Sequence, residues 1–163
     1  MPDRKPTTAQ AQLHLQVYDL RREAKLREAR DWMMQNFFLD NLDDYARICP
    51  PGSKEGTWAM MVVSYWDQAC ALLNYGLLHE SLFFETSGEF FAVWERIKPV
   101  VAPMRERYHI NFWASNLEKA AGRFEKWIEK KSPGALAAMR EFTAMMRAAN
   151  AQKVAAPKPS TAN

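Results

Sequence analysis

An all-α fold is predicted by three features of this 163-residue chain. Apolar residues recur at spacings of three and four along most of its length, the pattern of helices with one buried face. No stretch alternates apolar and polar residues for long enough to make a strand. Cap and breaker residues fall between the periodic segments, with Asn41 ahead of "LDDYARI" and Pro50–Pro51 behind it. Hydrophobic residues make up 48% and aromatics 12%, so one domain of this size buries a large core and needs neither disulfide nor metal for stability. The expected architecture is a single compact bundle of six or seven helices around a central apolar helix at about 57–75.

Residues 1–7 are polar with two prolines and are expected to be flexible; the helical domain is placed at 8–152. Leu13, Val17, Leu20 and Ala24 form one stripe, and Leu26, Ala29, Met33 and Phe37 a second. At 100° per residue the two do not align, so a break is expected between Asp19 and Lys25. A short helix capped by Asp40 or Asn41 follows, then a "PPGSKEG" connector. In the segment Thr57–Tyr75, Val62, Trp66, Ala69 and Leu73 share one face, and Gly76 stands at the position of a left-handed cap. A short helix over "LLHESLFF" leads to a helix capped by Thr86 or Ser87, whose Pro99 and Pro103 are expected to kink or divide it. The next helix opens near Asn111 and buries Trp113, Leu117, Ala121, Phe124 and Ile128. The last helix is capped by Ser132, begins at Pro133 and runs to Gln152. The low-complexity end, 153–163, is expected to be disordered.

Charge is unevenly spread. Residues 51–95 hold one basic side chain, Lys54, and six acidic ones, whereas residues 96–163 hold thirteen basic and five acidic. Glutamates are interleaved with the basic residues, so solvated helix faces are expected rather than a nucleic-acid surface. The two cysteines, Cys49 and Cys70, are in no ligand spacing. No signal peptide and no membrane-span-length apolar run is evident. A cytoplasmic protein is expected.

No phosphate-binding glycine loop, nucleophile elbow or paired-histidine metal motif occurs, and neither cofactor nor metal is expected. The strongest polar candidates lie in "SYWDQACALLNYGLLHESLFFE". Asp67 and Asn74 are two turns apart on one helix face, and His79 and Glu80 follow within a few residues. A carboxylate set among apolar residues must face water or find donors. Three readings stand: a solvent-facing stripe, a buried structural network with arginines or lysines of the first two helices (Arg21, Arg22, Lys25, Arg27, Arg30), or a ligand pocket. The last helix carries an Ala- and Met-rich stripe that includes Met139, Phe142, Met145 and Met146. Methionine suits adaptable contacts, so these four are candidates for a partner surface.

Two segments, "VYDLRREAKLREARDW" (Val17–Trp32) and "SYWDQACALLNYGLLHESLFF" (Ser64–Phe84), resemble a family of small, all-helical bacterial proteins known only as a domain of unknown function, over about residues 15–130. The resemblance implies a helical fold and assigns no catalytic residue. The expected function is a non-enzymatic protein-interaction or adaptor module, with a protein partner or a second copy. The alternative is a small-molecule or metal-binding protein, or an enzyme, with a polar pocket at Asp67, Asn74, His79 and Glu80.

Overall fold

A computed structural model describes residues 5–155. Among them the elements are α1 (Thr8–Arg21), α2 (Ala24–Asn36), α3 (Leu42–Ile48), α4 (Lys54–Asn74), α5 (Glu80–Thr86), α6 (Glu89–Tyr108), α7 (Ser115–Lys131) and α8 (Ala135–Ala155), with no strand. Eight helices form rather than six or seven because α3 and α5, seven residues each, stand as separate elements. The expected disordered end begins inside α8, and the remainder of that stretch, 156–163, lies outside the described residues.

The centre of the bundle is α4, packed against α2, α6 and α7. Its predicted inner face, Val62, Trp66, Ala69 and Leu73, is buried throughout. Ser53 caps the helix through Gly56 N–H (3.0 Å), so α4 starts three residues earlier than expected and absorbs half of the predicted connector. At its other end Gly76 adopts φ +74°, and Leu77 N–H reaches the Leu72 carbonyl at 2.9 Å, a Schellman closure that a residue with a Cβ would strain.

The break between the first two stripes falls at Arg22–Glu23, where the Glu23 carboxylate accepts from Leu26 N–H at 2.8 Å and opens α2. The second stripe is wholly buried. Of the first, only Val17 is; Leu20 and Ala24 are exposed, and α1 rests on the core through Leu13 and Val17. The Tyr65 hydroxyl holds α1 from α4 by donating to the Val17 carbonyl at 2.6 Å. Burial pushes this phenol from its ordinary 10 up to about 12. An acid whose pKa is raised by folding contributes stability that is intact below its unfolded pKa and is lost as pH rises through the folded one. The melting temperature is therefore expected to fall between pH 10 and 12, and Tyr65→Phe to reduce that fall; an identical alkaline profile in the variant would remove Tyr65 as the cause.

Helix α6 is undivided despite Pro99 and Pro103. Pro99 sits on the exposed side, where water can serve the Glu95 carbonyl it leaves without a donor. The opposite face, with Phe90, Phe91, Trp94, Ile97 and Val101, is buried and holds the helix against the core. Its predicted cap is also different. Thr86 ends α5 and donates to the Leu82 carbonyl (2.6 Å), Ser87 closes α5, and Gly88 stands at the N-cap without a side-chain bond. Phe83, Phe84, Phe90, Phe91, Phe124 and Trp66 build one aromatic cluster, with ring centroids 5.1–6.4 Å apart.

Two helix ends are finished by side chains distant in sequence. The buried Arg96 guanidinium donates to the Met34 carbonyl (2.9 Å), one of the four acceptors that the last turn of α2 leaves open. Burial pulls Arg96 down to about 10. The second end, the start of α7, leads to the candidate site. Helix α8 also departs from expectation at its start: Gly134 takes φ +86° and Pro133 remains in the turn, so the helix opens at Ala135, while Ser132 closes α7.

Candidate functional site

Asp67 and Asn74 face α7. The chain reaches that helix through a tight turn in which His109 and Ala114 both have left-handed backbones, φ 55° and 54°. The turn delays α7 to Ser115, four residues beyond the expected start, and leaves Ala114 at the N-cap. Alanine has no side-chain acceptor, so the first amides of α7 need one from elsewhere. Asp67 supplies it. Its Oδ1 accepts from Asn116 N–H at 3.0 Å and Leu117 N–H at 2.9 Å, and its Oδ2 from Asn116 Nδ2 at 3.4 Å. The carboxylate also lies at the positive end of the α7 dipole.

The network continues along the α4–α7 seam. Asn74 Nδ2 donates to the Asn116 backbone oxygen and to its Oδ1, both at 3.1 Å. Arg123, two turns into α7, donates through Nη2 to Asn74 Oδ1 at 2.9 Å and through Nε to Glu80 Oε2 at 2.7 Å. Asp67 and Asn74 are half-buried and Glu80 is exposed. His79 is the N-cap of α5, its Nδ1 accepting from Leu82 N–H at 3.3 Å. Thus Asp67, Asn74 and Glu80 are joined through Asn116 and Arg123, and His79 serves the adjacent helix start.

This is the network reading, with different donors from those expected. The basic residues of α1 and α2 do not reach Asp67: Arg27 bonds the Arg22 carbonyl, and Arg30 pairs with Glu89 and reaches the Arg21 carbonyl. Asn116 carries no local signal in the sequence. It matters because the 109–114 turn delivers it to α4. Arg123 looks like an ordinary member of the polar α7 face until α4 and α5 are placed beside it.

The same packing consumes much of the charge asymmetry. Glu80, Glu85 and Glu95 of the acidic stretch pair with Arg123, Lys131 and Arg140 of the basic one, at 2.7, 3.6 and 2.8 Å. Each exposed pair contributes little stability, but together they match the two stretches within one fold.

Chemically, the seam is a hydrogen-bonded network joining α4 to α7, with Glu80 at its exposed end. Among the described residues, no three His, Cys, Asp or Glu side chains gather closely enough to hold a metal ion. Burial pushes the Cys49 thiol up to about 11 and the Cys70 thiol well above its ordinary value, so neither is a thiolate at neutral pH. No helix among the described residues is long and apolar enough to cross a membrane.

Helix α8 is 21 residues long and buries none of them, a property it shares only with the seven-residue α3 among the described helices. Met139 packs against the core, Met146 is half-buried, and Phe142 and Met145 are 63% and 64% exposed. A groove of about 340 Å³ runs between α6 and α8, bordered by Phe91, Ala92, Ala138, Met139 and Phe142.

The model of one protein family, "Domain of unknown function (DUF4760)", matches residues 6–148. The chain belongs to this family. The match extends the resemblance at both ends, and it takes in all of α1 to α7 and most of α8. The α4–α7 seam and the α6–α8 groove are therefore both parts of this DUF4760 domain. No curated protein and no solved structure matches the chain.

Proposed function

We propose that this DUF4760 protein is a non-enzymatic interaction module of the cytoplasm, and that its α8 face and the α6–α8 groove receive the apolar face of an amphipathic helix of a partner protein. The carrying observation is that α8 buries none of its own residues yet presents Phe142 and Met145 outward beside an apolar groove. Helices of this kind bind by laying an apolar face into such a groove. Methionine repacks at low cost, which suits the contact. The arginines of α8 are engaged within the fold, Arg140 with Glu95 and Glu125 and Arg147 with Asp40, so the contact offered to a partner is mainly apolar. Asp67, Asn74 and Glu80 are engaged with Asn116, Leu117 and Arg123, and His79 caps α5, which favours this reading over a pocket at those residues.

Met145→Glu is the test. An exposed substitution leaves stability within about 0.5 kcal/mol but sets an anion in the apolar contact. Amphipathic helical peptides selected on the wild-type protein from a displayed library are expected to lose binding to Met145→Glu. They should retain it in the control Tyr75→Glu, an exposed position at the C-cap of α4 that does not border the groove. Peptides that bind Met145→Glu as well as wild type, or that are lost equally in Tyr75→Glu, would overturn the assignment.

A further inference from the structure

We propose that the cavity enclosed by α3, α4, α6 and the 109–114 turn is a binding site for a small apolar molecule, about the size of one aromatic ring or a short alkyl chain. The cavity measures about 190 Å³ and is lined by Phe37, Ala59, Val63, Val100, Ile110 and Trp113, with Tyr45, Met60 and Met104 among the remaining wall residues. Only Tyr45 and Trp113 bring polar side-chain atoms, so a guest can carry at most one or two polar groups without leaving them unsatisfied. An apolar protein cavity of roughly 150 Å³ takes up benzene, and this one is of that class. Small-molecule sites share this build, a concave apolar wall with few polar groups.

The walls also provide an entrance. Tyr45 and Met60 line both this cavity and a wider cleft of about 560 Å³ formed with Cys49, Pro50, Gly52 and Ser53. Met60 is 60% exposed and unbranched, so its rotation opens the passage between them. Helix α3, which carries Tyr45, is seven residues long and buries none of them fully, the kind of element that yields locally at low cost. The left-handed residues His109 and Ala114 bound the turn that brings Ile110 and Trp113 over the end of α6, closing the other side. With Cys49 held as a thiol, the adjoining cleft offers no thiolate, so the guest is bound rather than covalently captured. This site shares no lining residue with the α6–α8 groove and stands or falls apart from the proposal made for it.

Bromobenzene is a suitable probe. Its binding to the native fold raises the melting temperature by mass action. Its heavy atom quenches the part of the tryptophan emission due to Trp113, and that part is absent in Trp113→Phe. Ala59→Leu fills the cavity and is expected to weaken binding roughly tenfold or more, because the guest's contacts are lost to the new side chain. In parallel, methyl resonances of Val63, Val100 and Ile110 in the wild-type protein should shift on titration, a readout that does not depend on Ala59→Leu folding. The site is overturned by an unchanged melting temperature, by undiminished affinity in folded Ala59→Leu, or by shifts centred on the methyls of Ala92, Ala138 and Met139 instead.

Discussion

Trp66→Ala is expected to lower the unfolding free energy by about 3–5 kcal/mol, the range for truncating a buried aromatic. Trp66 is 1% exposed at the middle of α4. Its ring meets Tyr65 at 5.0 Å and Phe83 and Phe90 at 6.4 Å, so deletion opens a cavity between three helices at once. A second loss adds to the first. Trp66 Nε1 donates to Glu89 Oε1 at 3.2 Å, and that carboxylate is shared with Arg30 in a half-buried pair. Trp66→Phe is the milder change, since it keeps one aromatic ring in the cluster while removing the donor and part of the indole volume; its cost should be about 1–3 kcal/mol, below that of Trp66→Ala. Urea denaturation measures both. A Trp66→Ala midpoint equal to that of wild type would show that this helix is not the centre of the core.

Asp67→Ala should cost about 1–3 kcal/mol, the penalty for leaving buried donors without acceptors. Two amides of the first turn of α7, on Asn116 and Leu117, share one carboxylate oxygen, and Leu117 is fully buried. Ala114 at the N-cap has no side-chain acceptor with which to replace it. Asp67→Asn retains an acceptor oxygen and loses the charge facing the helix dipole, so it should fall between wild type and Asp67→Ala. Hydrogen exchange locates the effect: protection should drop in the first turn of α7 before it drops in α2. Equal stability of all three proteins would mean that the carboxylate is not the cap of α7.

Legibility in the sequence followed range. The α4 inner face and the α2 stripe are readable because periodicity is a property of a single helix, and the burial of Val62, Trp66, Met33 and Phe37 follows from it. The α1 stripe is just as periodic, yet Leu20 lies open to solvent. Spacing gives a face but does not say how much of it finds a neighbour. The start of α7 was not readable near Asn111, since it depends on two left-handed non-glycine residues, His109 and Ala114, for which composition gives no cue. Likewise Asp67 and Asn74 could be picked out as polar groups needing partners, while Asn116 and Arg123 could not be named as those partners. They lie 42 to 49 residues away along the chain.

The sequence alone determined that this chain is helical, where most of its helices lie and which of their faces are apolar, because local propensity, periodicity and breakers act within a few residues. Tertiary structure alone decided how several helices end and what the polar residues do. Open acceptors at the end of α2 are met by Arg96 of α6 and Asn150 of α8, and open donors of α7 by Asp67 of α4. The acidic and basic stretches become cross-helix pairs, and four helices and turns meet around an apolar cavity. The physical reason is that a buried polar group must be satisfied but does not specify by whom. The partner is chosen by the packing of apolar faces, which brings distant residues within hydrogen-bond reach.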